Sequence, residues 1–125
     1  MVESHSEETA AHEVYGEVCW QRFLRPRHAG PPPAGLESVC GQARGRADDS
    51  EVWLWLSRQP RKAWFQAHGS PWIIAAADLA AEAWQAGEKR LSAATLASRL
   101  DAPPDVMDAF LTVEDAWHSA LKILD

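Results

Sequence analysis

The sequence predicts an all-α protein, a compact bundle of five to seven helices with a helix-turn-helix-like C-terminal half. Three observations carry that expectation. Ser70, Pro71 and Gly87 occupy the N-cap, first-turn and C-terminal positions of a helix over about 71–86. Val106, Phe110, Val113, Trp117, Ala120 and Leu124 recur at alternating spacings of four and three, the seam of a long amphipathic helix. Asp48, Asp49 and Ser50 offer N-caps immediately before the apolar run Val52, Trp53, Leu54, Trp55, Leu56.

Taken in order, residues 1–9 are polar and acidic and read as a flexible tail. From Ala11 the apolar residues Val14, Tyr15, Val18, Cys19 and Phe23 fall at helical spacing, and Pro26 stops that helix at Arg25. Arg25 to Gly35 (RPRHAGPPPAG) is a Pro/Gly linker, partly extended. Leu36, Val39, Cys40 and Ala43 fit a short second helix, which Gly41 and Gly45 each weaken by about 1 kcal/mol. The run over 52–56 fits a strand as well as a helix by periodicity, and its caps favour helix. Pro60 opens a short helix through Ala67, closed by Gly69.

The helix over 71–86 has one narrow polar stripe, Asp78, Glu82 and Gln85, and reads as central. Leu91, Ser92 and Leu96 form a hydrophobic staple and N-cap for a helix from Ala93 to Leu100. Asp101 to Pro104 turns the chain into the last helix.

At 125 residues the chain fits one domain, divided into the tail 1–9, a basic Trp/Arg-rich half 10–69 and an acidic half 70–125. Cys19 and Cys40 lack CxxC spacing and read as free thiols in a reducing compartment. Trp72 to Ala86 is too short and too interrupted by Asp78 and Glu82 to span a bilayer, and no signal peptide is evident. The expected location is cytoplasmic, with no membrane partner.

Charge is separated along the chain: −5 over residues 1–21, +4 over 22–62 and −5 over 63–125, for a net −6. Such separation speaks to partners and not to fold. The basic middle holds Arg22, Arg25, Arg27, Arg44, Arg46, Arg58, Arg61 and Lys62 among aromatic residues that include Trp55 and Trp64. Cations that track phosphates beside aromatic faces that stack on bases are what single-strand binding requires. Trp53 and Trp55 would sit some 200° apart on a helix, which leaves at least one of them exposed or at an interface.

The stretch Thr95 to Leu111, TLASRLDAPPDVMDAFL, resembles the helix-turn-helix of bacterial regulators: Leu96 and Leu100, a small residue at Ala97, a tight turn, then Val106 and Phe110 or Leu111. It departs from that pattern with Asp101 where glycine is usual and with Asp105, Met107, Asp108 and Thr112 as the exposed residues of the recognition helix. Carboxylates there are repelled by phosphates, which favours a scaffold used for packing or protein contact.

No HExxH, zinc spacing or Gly-rich phosphate loop occurs, so the expectation is a non-enzyme without metal or cofactor. The leading expectation is an accessory subunit that binds nucleic acid or a nucleoprotein assembly through the Arg/Trp surface. Size and charge layout suit a small helical subunit of a CRISPR-type ribonucleoprotein, although no motif of that family is present. The alternative is a regulator (inhibitor, antiactivator or immunity protein) that engages a basic protein through Asp105, Asp108, Glu114 and Asp115. A transcription regulator is the third reading, and a homo-oligomer or larger complex is compatible with all of them.

Overall fold

Period-two alternation governs the middle of the chain. The structure, a computed structural model, describes residues 2–124, with side chains from Ala10 onward. It contains four α-helices and a three-stranded antiparallel sheet, an α+β arrangement that overturns the all-α bundle.

The three stretches read as short helices are strands β1 (Val39–Arg44), β2 (Glu51–Arg58) and β3 (Arg61–His68), in sheet order β1-β2-β3. Val52, Leu54 and Leu56 are fully buried while Trp53 and Trp55 between them are half-buried, so successive side chains point to opposite faces. The supposed helix caps turn a hairpin instead. Asp48 Oδ1 accepts the Ser50 N–H at 2.9 Å, and Gly45 N–H donates to the Ser50 carbonyl at 2.8 Å.

Helix α1 spans Val2–Leu24, starting well before the Ala11 expected from sequence, and is kinked at Gly16, whose φ of 74° suits glycine. Helix α2 (Pro71–Gln85) runs as its end signals predict, with one difference. The Ser70 side chain makes no capping bond; its carbonyl accepts the Ile73 N–H at 3.1 Å. At the other end Gly87 N–H reaches the Trp84 carbonyl and Glu88 N–H the Ala83 carbonyl, both at 3.0 Å, a Schellman closure. Helix α3 (Ala93–Arg99) is capped by Ser92, whose hydroxyl accepts the Thr95 N–H at 3.1 Å. A 3-10 turn over Pro104–Val106 then leads into α4 (Met107–Leu124).

Helices α2 and α4 pack on one face of the sheet, α2 mainly against β3 and α4 mainly against β1. The buried rows run Val39–Leu56–Ala63, Gly41–Leu54–Phe65 and Ala43–Val52–Ala67 across the three strands. Gly41 is where β1 meets α4. A Cβ built there would stand 2.0 Å from the Ala116 carbonyl oxygen and 2.5 Å from the Ala120 nitrogen. The glycine read as a helix weakener is what lets strand and helix backbones touch.

The helix-turn-helix segment forms as α3, a turn and α4, with one side of α4 packed on the sheet. Phe110, Val113 and Trp117 of α4 are fully buried and α4 lies along β1, while Asp105 and Asp108 stay exposed at its start. Thr112, expected on the exposed face, is 1% exposed and donates to the Asp108 carbonyl at 3.0 Å. The all-α and helical-bundle descriptions fail because β1, β2 and β3 form a sheet.

Candidate nucleic-acid interface

Because α2 and α4 share the inner face of the sheet, the outer face is left to the alternate residues of each strand. In register these are Cys40–Trp55–Trp64, Gln42–Trp53–Gln66 and Arg44–Glu51–His68, with Lys62 opposite Ser57 at the hairpin end. Trp55 and Trp64 stand directly across from each other, and Trp53 follows Trp55 on the same face two residues back, about 7 Å along the strand. All three indoles are half-buried, and the Trp53 and His68 rings lie 5.9 Å apart.

The electrostatics of this face differ from those of the whole chain. Its one acid, Glu51, is occupied: the Gln42 amide donates to it at 2.6 Å, and Arg44 and His68 stand 3.5 and 3.6 Å away. Arg44 keeps 81% of its side chain in solvent, and Lys62 is exposed. Burial pushes the Cys40 thiol above its ordinary range, so this face does not present a ready thiolate.

The other cations expected at the interface are distributed differently. Arg22 donates to the fully buried Asp78 at 2.8 Å and to Glu82 at 3.2 Å, tying α1 to α2. Asp78 also accepts the Arg27 and His28 N–H groups, each at 2.8 Å, so the polar stripe of α2 is an anchor for the segment after α1. Arg46 pairs with Asp115 at 3.0 Å. Arg61 donates through Nε to the Trp84 carbonyl and through Nη2 to that of Glu88 at 3.0 Å, with its guanidinium 3.8 Å from the centre of the Trp84 ring. It completes the C-terminus of α2.

Arg25, Arg27 and Arg58 are exposed, Arg25 and Arg27 beside Arg22 and Asp78 after α1 and Arg58 at the end of β2. Of the ten residues expected to bind nucleic acid, Trp55, Trp64, Arg44 and Lys62 are brought together on one face, and Arg22, Arg46 and Arg61 are committed elsewhere. Trp53, Gln66 and His68 join the face as residues outside that expectation. The signal that finds them is the W-x-W and W-x-Q-x-H alternation.

The acidic surface expected to bind a protein is similarly divided. Asp105 and Asp108 are exposed at the start of α4. Glu114 accepts the Ala93 N–H at 2.9 Å, holding α3 to α4, and Asp115 is held by Arg46.

Cys19 is buried with its thiol pushed up to about 12 by desolvation, which keeps it protonated and unreactive at neutral pH. Among the described residues no three His, Cys, Asp or Glu side chains gather as a metal site, and no helix is long and apolar enough to cross a membrane. No protein-family model matches the chain, and no curated protein matches it either.

Proposed function

We propose that the chain is a small non-enzymatic accessory protein that binds single-stranded nucleic acid on the outer face of its sheet. The observation that carries this reading is that Trp53, Trp55 and Trp64 share the one sheet face that α2 and α4 leave uncovered. An open antiparallel sheet with two or three aromatic side chains is a recurring platform for unpaired bases, since every base has a π-face to stack. Arg44, Lys62 and His68 stand around the indoles, where the phosphates of a strand lying across them would run.

The sequence supports a duplex-reading mode less well. A sheet face with three bulky rings does not enter a major groove as a helix does, and α4 is spent on the core.

Stacking quenches indole fluorescence, so titrating the protein with a thymidine or uridine octamer at low salt is the direct test. The expected result is saturable quenching, with Trp55→Ala and Trp64→Ala each weakening binding by about 1 to 3 kcal/mol. A folded protein that shows no quenching and no gel shift even at low salt would sink the proposal. Such a protein that instead self-associates, or retains a protein partner through the same tryptophans, would make this face a protein interface.

A further inference from the structure

The edge of β3 is covered unevenly. Gly30 N–H donates to the Phe65 carbonyl at 2.8 Å and Phe65 N–H donates to the His28 carbonyl at 3.0 Å, so residues 28–30 lie beside β3 as a one-bridge parallel strap. Main-chain groups along a strand point alternately to its two sides, so those of Ala63 and Ala67 point the same way as those of Phe65, away from β2. The Ala63 N–H is taken by Gln85 Oε1 at 3.1 Å. To continue the strap past Phe65, the Ala67 carbonyl would need an N–H at residue 32, which is Pro32 and has none, and the Ala67 N–H makes no main-chain bond to the strap. The pairing therefore ends at Gly30, and the N–H and C=O of Ala67 open onto a cleft.

That cleft, about 420 Å³, lies where the strap, the end of β3 and the start of α2 converge, at the Trp53 end of the tryptophan face. Trp53 and His68 contribute aromatic walls, Ile74 and Pro26 apolar ones, and Gln66 an exposed amide. We propose that it holds one unpaired nucleobase of the strand bound on the outer face, its ring against Trp53 and His68 and its polar edge against the Ala67 main chain and the Gln66 amide. This rests on the reading of the outer face as a single-strand platform.

The chemistry favours a base over an added peptide strand. Strand addition needs a run of consecutive main-chain pairs, and the open edge here is a single residue long. A base needs one donor and one acceptor side by side together with a flat apolar wall, and the cleft has both. Asp78 is the positioning residue for this site, because the N–H groups of Arg27 and His28 that it accepts fix the strap forming one wall.

The experiment is an abasic scan: a thymidine octamer and eight versions with one base removed, titrated against wild type, Ala29→Phe and Gln66→Ala by fluorescence quenching. Ala29 is exposed on the strap, so the larger ring fills the cleft from its rim without entering the core. Wild type is expected to lose about tenfold in affinity when the base at one particular position is missing, within the range for a single stacked base. Ala29→Phe should bind the intact octamer about tenfold more weakly and lose that positional effect; Gln66→Ala should reduce it. If the octamer binds wild type with no position singled out, and both variants bind as wild type, the cleft is empty and the platform stands. If the octamer does not bind wild type at all, platform and cleft fall together.

Discussion

The two faces of β2 differ as much as two proteins do. Toward α2 and α4 the strand presents Val52, Leu54 and Leu56, none of them exposed at all, packed among alanines, Phe65 and the Gly41 contact with α4. Away from them, one residue out of step, it presents Glu51, Trp53 and Trp55 to a half-covered surface rimmed by Arg44, Lys62 and His68. The inner face spends its side chains on stability and the outer face on large rings that the fold does not enclose. In a chain of net charge −6, the Arg44 and Lys62 cations on that second face support reading it as the proposed platform.

The sharpest way to break this comparison is at the closest inner contact. Gly41→Ala places a methyl into the backbone of α4, at distances no side-chain rotation relieves. The expected cost is about 3 kcal/mol or more, read as a lower midpoint in urea, because strand and helix must separate to admit it. A loss below about 0.5 kcal/mol would mean that β1 and α4 are not in register at this point.

One residue step along β2 sharpens it further. Leu54→Ala should cost about 2 to 5 kcal/mol through lost transfer energy and an unfilled cavity. Trp55→Ala removes a larger side chain, yet it loses mainly a cross-strand pair with Trp64, about 1 kcal/mol, while taking the binding effect described above. If Trp55→Ala destabilises as much as Leu54→Ala, the outer face is a second core and the platform is lost.

The contrast also explains which parts of the molecule could be read in its sequence. Helices α2 and α3 carry their own end signals within a few residues, from Pro71 to Gly87 and from Leu91 to Leu96, and α4 carries its six-residue seam. Those signals are local, and the structure follows them. The strands fail the same treatment because Asp48, Asp49 and Ser50 serve a hairpin turn as readily as a helix start. The period-two run in β2 is short enough to be outvoted by them. Gly41 looks like a defect until α4, some 75 residues later, lies against it.

The site divides along the same line. Residue type alone picks out Trp55, Trp64, Arg44 and Lys62, but not that they share a face, which needs the strand register. Arg22, Arg61 and Arg46 look identical to them in sequence, and their engagements are with residues 56, 23 and 69 positions away. No window along the chain contains those partners.

The smallest expected effect tests the charged rim apart from the rings. Lys62 and Arg44 lie on opposite outer strands, on either side of the indole cluster, so a nucleic-acid strand crossing the cluster passes both. Each phosphate contact releases counterions, and for single strands it contributes about 0.7 to the slope of log affinity against log salt. The double change Lys62→Gln, Arg44→Gln should therefore flatten that slope by about 1.4 while leaving stability within about 0.5 kcal/mol, since both side chains are largely in water. Trp64→Ala should do the reverse, lowering affinity with the slope unchanged, because stacking displaces no ions. The same measurement on Arg61→Gln is the internal control: Arg61 lies on the inner side at the end of α2, so it should lower stability without moving the slope. A slope that responds to Arg61 and not to Lys62 and Arg44 would move the phosphate path off the outer face.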